Sequence, residues 1–342
     1  MDDYFDYKLW KETIELAIEI KEEKPWEIFG PLDVVLIDTT TFNVFDLCSI
    51  KGFDGGIKGI EFYHDTDGLN QFYDSMFLDK GIYNENFMDY EMNHSALYFV
   101  PMEEVFEDQL AFTTDLGFDF SDDGLWPKFV SHSSGFFPQT PSGAILEDAL
   151  YLYRQILNVI KQVKSGEIRI PEEYDYIIVR EGDLEDDDDW KTYIAHRVEK
   201  YYTYYPDYKR VISPDVKDAR FNDEIIELDL TYLDTPAPKS SLKRVKRLLI
   251  LTAFNRNDEK LIYMDVIGDV FHKHDSIEIF FEQYYVPLYG KMKKLVVRND
   301  YLWELFEELL EELDINLEWG DLYVTDKKMP ELGFVNLKVK SY

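Results

Sequence analysis

The sequence has little of what several classes of protein need. It contains one cysteine, Cys48, so no internal disulfide can form, which fits a reducing compartment. Cys48 lies in the apolar run VFDLCSI and is predicted to be a buried small residue rather than a nucleophile.

No apolar run approaches the roughly 18 residues that span a membrane, and the acidic start MDDYFDYKLW lacks the basic and apolar regions of a signal peptide. We therefore expect a cytoplasmic protein that does not associate with membranes.

Basic residues are also scarce. The chain has 36 lysines and arginines against 69 aspartates and glutamates, which gives a formal net charge of −33. Such a surface repels the phosphates of nucleic acids and of anionic lipids, so direct nucleic-acid binding is not expected. The charge fits a well-solvated protein whose partner is another protein. An acidic mimic of DNA, which would inhibit a DNA-binding protein, is a second alternative.

The apolar content, 45% of 342 residues, is ample for sizeable cores. At roughly 100–200 residues per domain, this length suggests about two domains. We predict an α+β fold whose N-terminal domain, residues 1–170, combines a helix with an antiparallel meander. Residues 171–238 are predicted to be bridging strands and an acidic loop. Residues 239–342 are predicted to be a C-terminal α/β domain with the element order β-β-α-β-α-β.

Local patterns place the main elements. Apolar side chains at three- and four-residue spacing predict a first helix over Tyr7–Glu23, which Pro25 stops. Strands separated by glycine-rich turns follow, and Ser142 is expected to cap a long helix. Residues 122–143 are predicted to be irregular, and the acidic run at residues 186–189 is predicted to be a solvated loop.

The sequence contains no Ser-His-Asp, Cys-His or phosphate-loop pattern, and no cofactor is predicted. His272 and His274, with Asp275 beside them, are candidate ligands of a transition metal, but a His-x-His pair alone is a weak signal. Asp275 together with Glu278 also fits a helix-capping box written with aspartate. We therefore predict no metal site at these histidines.

The C-terminal element order invites comparison with ribonuclease H-like nucleases, which need several carboxylates converging on two metal ions. The acid expected in the middle of the first strand is absent from RLLILTAF. A degenerate, non-catalytic relative is therefore favoured, and we predict a non-enzymatic interaction or regulatory protein. The alternative is a metal-dependent phosphodiesterase or nuclease, whose candidate catalytic residues are Asp265, Glu278, Glu282 and Asp300.

Tryptophan beside proline marks the predicted binding surface. The Pro25-Trp26 corner and the segment from Trp126 to Pro141 place aromatic rings on rigid supports in irregular segments, where binding sites concentrate. In the alternative interpretation, these aromatic rings fill the core between helices and sheet. The candidate surface residues are Trp26, Trp126, His132 and Phe136.

Several motifs, taken in order, resemble a group of bacterial proteins. They are LWKETIELAIEIKEEKPWEIF with its Pro-Trp-Glu end, the glycine-rich SIKGFDGGIKGIEFYHDTDGLNQF, and GLWPKFVSHSSGFFPQ before the long helix. Those proteins carry an N-terminal domain of unknown function, in whose pattern proline stands at the place of Ser134. The part from RLLILTAF to INLEW resembles a second uncharacterised α/β domain that often follows the first. The resemblance implies this architecture and a bacterial or phage source, and it implies no activity.

Overall fold

The computed structural model describes residues 7–39, 44–77, 92–141, 143–183, 186–197, 213–236, 245–268 and 272–332. Contacts between residues divide the chain into two compact units. Unit 1 is built on the strands up to His196. Unit 2 is built on the strands from Ile225 onward and includes the short segment Ser133–Phe137. The domain limits at residues 170 and 238 stay a prediction.

Unit 1 is a seven-stranded sheet with two long helices on one face. The strands are β1 Val34–Thr39, β2 Val44–Lys51, β3 Lys58–His64, β4 His94–Val100, β5 Trp126–His132, β6 Tyr176–Asp183 and β7 Asp186–His196. The helices are α1 Tyr7–Glu23, α2 Asp65–Phe77, α3 Glu107–Asp115 and α4 Ala144–Ser165. The strand order is β5-β4-β3-β2-β1-β6-β7. Among the described strands of this sheet, only β1 and β6 pair in parallel, so β1 to β5 form the predicted antiparallel meander.

The core of unit 1 lies between this sheet and helices α1 and α4. The first helix spans Tyr7–Glu23 as predicted, and it ends where Lys24 takes a left-handed backbone with φ of 49° just before Pro25. Cys48 is buried in the same core, as predicted. Each large apolar side chain buried here contributes roughly 1.5–3 kcal/mol. The buried side chains from the two helices include Trp10, Ile14, Ala17, Tyr153, Ile156 and Ile160.

Unit 2 is built on a five-stranded sheet of order β10-β9-β8-β11-β12. Its strands are β8 Ile225–Pro236, β9 Arg247–Asn255, β10 Lys260–Ile267, β11 Lys294–Val297 and β12 Asn316–Trp319. Its helices are α5 Pro214–Lys217, α6 Lys273–Glu278, a π-helical stretch Ile279–Tyr285, α7 Val286–Tyr289, α8 Asp300–Glu312 and α9 Tyr323–Glu331. β8, β9 and β10 are antiparallel, whereas β11 is parallel to β8 and to β12. Both sheets are mixed, and the predicted α+β class is confirmed.

Two predictions of irregular structure in unit 1 are wrong. The stretch Trp126–His132 is strand β5, because each of its residues pairs with a residue of β4. Pro127 fits there since β5 is at the edge of the sheet, where proline is tolerated. The acidic run at residues 186–189 begins strand β7 instead of forming a loop. β7 is the opposite edge of the sheet, and edge strands commonly carry charged residues.

Two predictions in unit 2 also need correction. RLLILTAF, expected to be the first strand of the C-terminal domain, lies in β9. The strand before it, β8, was expected to bridge the domains. It is instead the central strand of the sheet, because both β9 and β11 pair with it. Asp275 lies inside α6 and His272 precedes that helix, so the predicted capping box is wrong. Ser142, the predicted cap of the long helix, lies outside the described residues.

Among the helices that the structure describes, none has the length and apolar character of a membrane-spanning segment.

Candidate functional site

The structure places the predicted catalytic carboxylates on separate elements of unit 2. Asp265 lies on the edge strand β10, Glu278 ends α6, and Glu282 follows in the π-helical stretch. Asp300 begins α8, and its side chain lies outside the described residues. Among the side chains that the structure describes, no group of three or more histidines, cysteines, aspartates or glutamates could hold a metal ion.

The two candidate histidines lie at the start of α6. His272 Nδ1 is 3.2 Å from Asp275 Oδ2, and both side chains are about two-thirds exposed (70% and 67%). An ion pair this exposed contributes little to stability. His274 is the second residue of the helix. This surface arrangement accounts for Asp275 without a metal ion.

A different carboxylate cluster forms in unit 2 around Arg298, which directly follows β11. Asp229 lies in the middle of β8 and is 1% exposed. Arg298 Nη2 donates to Asp229 Oδ2 at 2.6 Å, and Arg298 Nη1 donates to Asp326 Oδ1 at 2.6 Å. Asp326 lies on α9. One guanidinium therefore joins the central strand, the end of the neighbouring strand and the helix that follows β12.

Glu227 extends this cluster toward the start of α9. It lies two residues before Asp229, on the same face of β8, and it is fully buried. Its carboxylate accepts hydrogen bonds from the backbone amides of Val324 at 3.0 Å and Thr325 at 2.8 Å, and Arg256 Nε donates to it at 2.7 Å. Both amides belong to the first turn of α9, where negative charge is stabilised. Glu227 thereby fixes the start of α9 to the sheet.

The electrostatics of the cluster hold Arg298 in its charged form. Burial works against this charge, but the carboxylates of Asp229 and Asp326 outweigh burial and raise the pKa of the guanidinium above its usual value. Thr231 Oγ1 also donates to Asp229, at 2.7 Å. Both oxygens of Asp229 and Oδ1 of Asp326 therefore already face N–H or O–H donors, whereas a divalent metal would need these oxygens as ligands. The residues present do not fit a metal ion, because a cationic side chain of the chain itself joins the two aspartates.

Sequence reasoning missed this cluster because it took RLLILTAF as the first strand of the sheet. The signal lay in IIELDLTYL, where Glu227 and Asp229 alternate with leucine and isoleucine. Aspartate and glutamate are almost never fully buried unless they are paired. Two acids at alternating positions of a central strand thus indicate a buried polar cluster and its cationic partners.

The predicted tryptophans belong to the core of unit 1. Trp26 is 6% exposed, and its ring centroid is 5.5 Å from that of Phe99. Trp126 is 9% exposed and makes an edge contact with Phe120 at 5.3 Å. This burial agrees with the alternative interpretation, in which the aromatic rings fill the core between helices and sheet. Phe136 lies instead in the segment that belongs to unit 2, where it pairs with Lys246.

His132 takes part in a polar row across strands β3 to β5. Its ring stacks on that of His94 at 4.0 Å, and His94 in turn stacks on Tyr63 at 5.5 Å. His94 is 5% exposed, and its Nδ1 has no hydrogen-bond partner in the part of the chain that the structure describes. Burial lowers the pKa of His94 to about 4; the charge of Glu61 opposes this shift, and Lys51 adds to it.

The lowered pKa predicts that acid destabilises unit 1. In the unfolded chain a histidine takes up its proton near pH 6.5, whereas His94 in the folded chain does so only near pH 4. Below about pH 6.5 the unfolded state binds more protons, so stability should fall by up to about 3 kcal/mol as the pH approaches 4. His94→Phe keeps a stacking ring without the proton, and it should remove this part of the acid loss.

The measurement is urea unfolding of wild type and His94→Phe at neutral and at acid pH. His272→Phe is the matched control, because His272 is 70% exposed. It should show the same dependence on pH as the wild type. An undiminished acid loss in His94→Phe would contradict the prediction.

An open groove of about 430 Å³ lies in unit 1 beside the glycine-rich hairpin between β2 and β3. Phe99 and Val100 line it and are part of the buried core, and Leu125 lines it as well. On the hairpin, Ile57 also lines the groove and is 61% exposed. The hairpin turns at Gly52, whose φ of 108° is a conformation that glycine adopts without strain.

The groove lies next to the predicted Pro25-Trp26 corner. Phe99 contacts Trp26 behind it, and Lys58, another lining residue, places its Nζ 5.5 Å from the Trp26 ring. Trp26 of the predicted corner therefore packs against residues that line the groove. The lining residues themselves were not predicted from the sequence. These residues come from a hairpin, the end of β4 with the turn that follows it, and the residue before β5, so only the fold brings them together.

The fold and these sites define an α+β protein of two units, with a carboxylate cluster joined by arginine in one and an open apolar groove in the other. Residues 10–180, half of the chain, match a family model described as Domain of unknown function (DUF7309). The chain belongs to this family. Residues 215–329 match a second model, Domain of unknown function (DUF6930). The predicted succession of two domains of unknown function is thus confirmed. No curated protein matches the chain.

Proposed function

We propose that the chain is a non-enzymatic interaction protein and that its partner is another protein. The observation that carries this proposal is the position of Arg298 between Asp229 and Asp326. A catalytic group must interact more strongly with the transition state than with the ground state. Asp229 and Asp326 already bind an internal guanidinium, so their oxygens are not available to interact with a transition state. Their arrangement suits a permanent anchor of α9 better than a reaction centre.

The rival function is that of a metal-dependent phosphodiesterase or nuclease. The strand order of unit 2, with Asp229 in the middle of its first strand, supports the comparison with ribonuclease H-like nucleases at the level of the scaffold. Two-metal hydrolysis needs carboxylates that hold ions about 3.5–4 Å apart. The guanidinium of Arg298 takes up the carboxylate oxygens that would bind such ions. We infer a relative that keeps the scaffold without this chemistry.

The charge of the chain indicates what kind of protein it binds. A net charge of −33 attracts basic surfaces and speeds their association at low salt. A DNA mimic is the extreme form of this proposal, in which the partner is a basic DNA-binding protein. In that case binding should weaken steeply as salt increases and should compete with DNA.

Affinity capture with the full chain, followed by measurement with the purified partner, tests the proposal. We expect a protein partner whose binding is reproduced by calorimetry with the two purified proteins. In parallel, hydrolysis of a phosphodiester such as bis(p-nitrophenyl) phosphate should stay at background with magnesium or manganese. Metal-dependent hydrolysis that disappears in Asp229→Asn would overturn the proposal in favour of the enzyme.

A further inference from the structure

We infer that the groove beside the β2–β3 hairpin binds an apolar side chain of a partner protein that is flanked by lysine or arginine. This inference rests on the proposed function, to which it adds a surface and the chemistry of the partner. It concerns unit 1 alone, whereas Arg298, which carries the proposed function, belongs to unit 2. The two can therefore fail separately.

Exposed apolar side chains lie on and next to the segments that line the groove. Scattered exposed apolar residues are normal, but a cluster of them around a groove is typical of an interaction site. Ile57 is 61% exposed and lines the groove; Phe53 in the same hairpin loop is 57% exposed. Met102, which follows the lining residue Pro101, is 52% exposed. The volume of about 430 Å³ lies in the range of ligand sites, roughly 300–1,000 Å³.

The groove is also preformed on its inner side. Phe99 and Val100 are 3% and 4% exposed and are held by the core. Behind them, Lys21 Nζ donates to the carbonyl of Leu125 at 2.6 Å and to Asp123 at 2.7 Å, which fixes the segment that leads into β5. A site that is rigid before binding loses less conformational entropy when a ligand enters. The groove can therefore bind one anchoring side chain without rebuilding the core.

The segments that line the groove also carry exposed carboxylates. Glu104 lines the groove and Glu103 precedes it in the chain, whereas Asp54 and Asp122 come two and three residues before the lining residues Gly56 and Leu125. All four are exposed, and none takes part in an ion pair between described residues. Of the nearby lysines, Lys21 is paired with Asp123, and the lining residue Lys58 lies over the ring of Trp26, so the carboxylates still outnumber the cations. This surplus of carboxylates selects a partner segment with cations next to its apolar anchor. It disfavours a second copy of this acidic chain and an anionic membrane.

Peptide selection on the immobilised full chain tests the inference. The probe is a library of random peptides displayed on phage, from which the selected sequences are synthesised and measured by fluorescence polarisation. We expect an aromatic or aliphatic residue next to lysine or arginine. Ile57→Asp should raise the Kd at least about tenfold. The double replacement Glu103→Lys and Glu104→Lys should raise it by a similar factor and reduce its dependence on salt.

Matched variants in unit 2 serve as controls. Leu288 is 64% exposed and belongs to unit 2, so Leu288→Asp makes the same kind of change as Ile57→Asp in the unit that does not contain the groove. Glu307→Lys with Glu308→Lys makes the same change in net charge on exposed positions of α8. Both controls should leave the Kd of the peptides unchanged. All variants alter exposed side chains, so unfolding curves close to wild type are expected and confirm that each one folds.

Three results would overturn the inference. Selected peptides whose binding ignores Ile57→Asp would place the binding surface elsewhere and leave the proposed function intact. Selected sequences without cationic residues would reject the role of the acidic rim. A failure to select any peptide would show that the groove does not bind protein segments of this kind. If the chain instead proves to be a metal-dependent enzyme, groove-dependent peptide binding would still hold, so that failure belongs to the proposed function alone.

Discussion

Replacing Arg298 by alanine is expected to lower the free energy of unfolding by about 3–5 kcal/mol. The side chain neutralises Asp229, which is 1% exposed, and also binds Asp326 on α9. Its removal leaves a buried carboxylate without a cation, and the penalty for such an uncompensated charge is much larger than the value of an exposed ion pair. Urea unfolding followed by circular dichroism measures this loss.

Two further variants separate the burial of charge from a general effect of losing an arginine. Arg154 pairs with Glu12 on the surface, with 46% and 42% of the side chains exposed, so Arg154→Ala should cost at most about 1 kcal/mol. The double variant Asp229→Asn with Arg298→Met removes both charges and should recover part of the loss. If Arg298→Ala costs no more than Arg154→Ala, the cluster is not the buried anchor described above.

Replacing Trp126 by alanine is expected to cost about 3–5 kcal/mol, because the indole fills space in the core of unit 1. The ring is 9% exposed and makes an edge contact with Phe120. The surrounding core can relax only partly around the cavity, so both lost contacts and lost burial contribute. Unfolding curves of the variant and the wild type give the value.

Phe53→Ala is the matched control for this aromatic truncation, since Phe53 is 57% exposed on the hairpin. Its effect on stability should stay within about 0.5 kcal/mol. A loss at Trp126 as small as that of the control would contradict its place in the core. It would also restore the interpretation in which this ring serves a partner.

Local patterns predicted the long helices and many of the strands, because neighbouring residues show the spacing of apolar side chains. The short helix α5 and helix α9 were not predicted. The first helix, Tyr7–Glu23, follows from the burial of every third or fourth residue and from Pro25. Strand β5 did not follow, because what makes Trp126–His132 a strand is its pairing with β4, which is distant along the chain. Edge strands such as β5 and β7 also tolerate proline and charge, which removes the usual strand signal.

The sites depended even more on distant contacts. Arg298 and Asp229 are 69 positions apart, and only the parallel pairing of β8 with β11 brings their strands together. The two carboxylates were visible in the sequence as acids on an apolar strand, but their cations were not. The groove is likewise assembled from a hairpin, the end of β4 with the turn that follows it, and the residue before β5. The Pro25-Trp26 pattern lies next to the groove, but it did not indicate the exposed lining residue Ile57.

Calorimetric titration of the wild-type chain with manganese tests the central claim most directly. In unit 2, Glu227 binds Arg256, and Asp229 and Asp326 bind Arg298, so these three carboxylates are not available to a catalytic metal. We predict no binding in the micromolar range, and no difference between wild type and Asp265→Asn or Asp229→Asn. Micromolar binding of manganese that either substitution abolishes would contradict the account and would favour a metal-dependent enzyme.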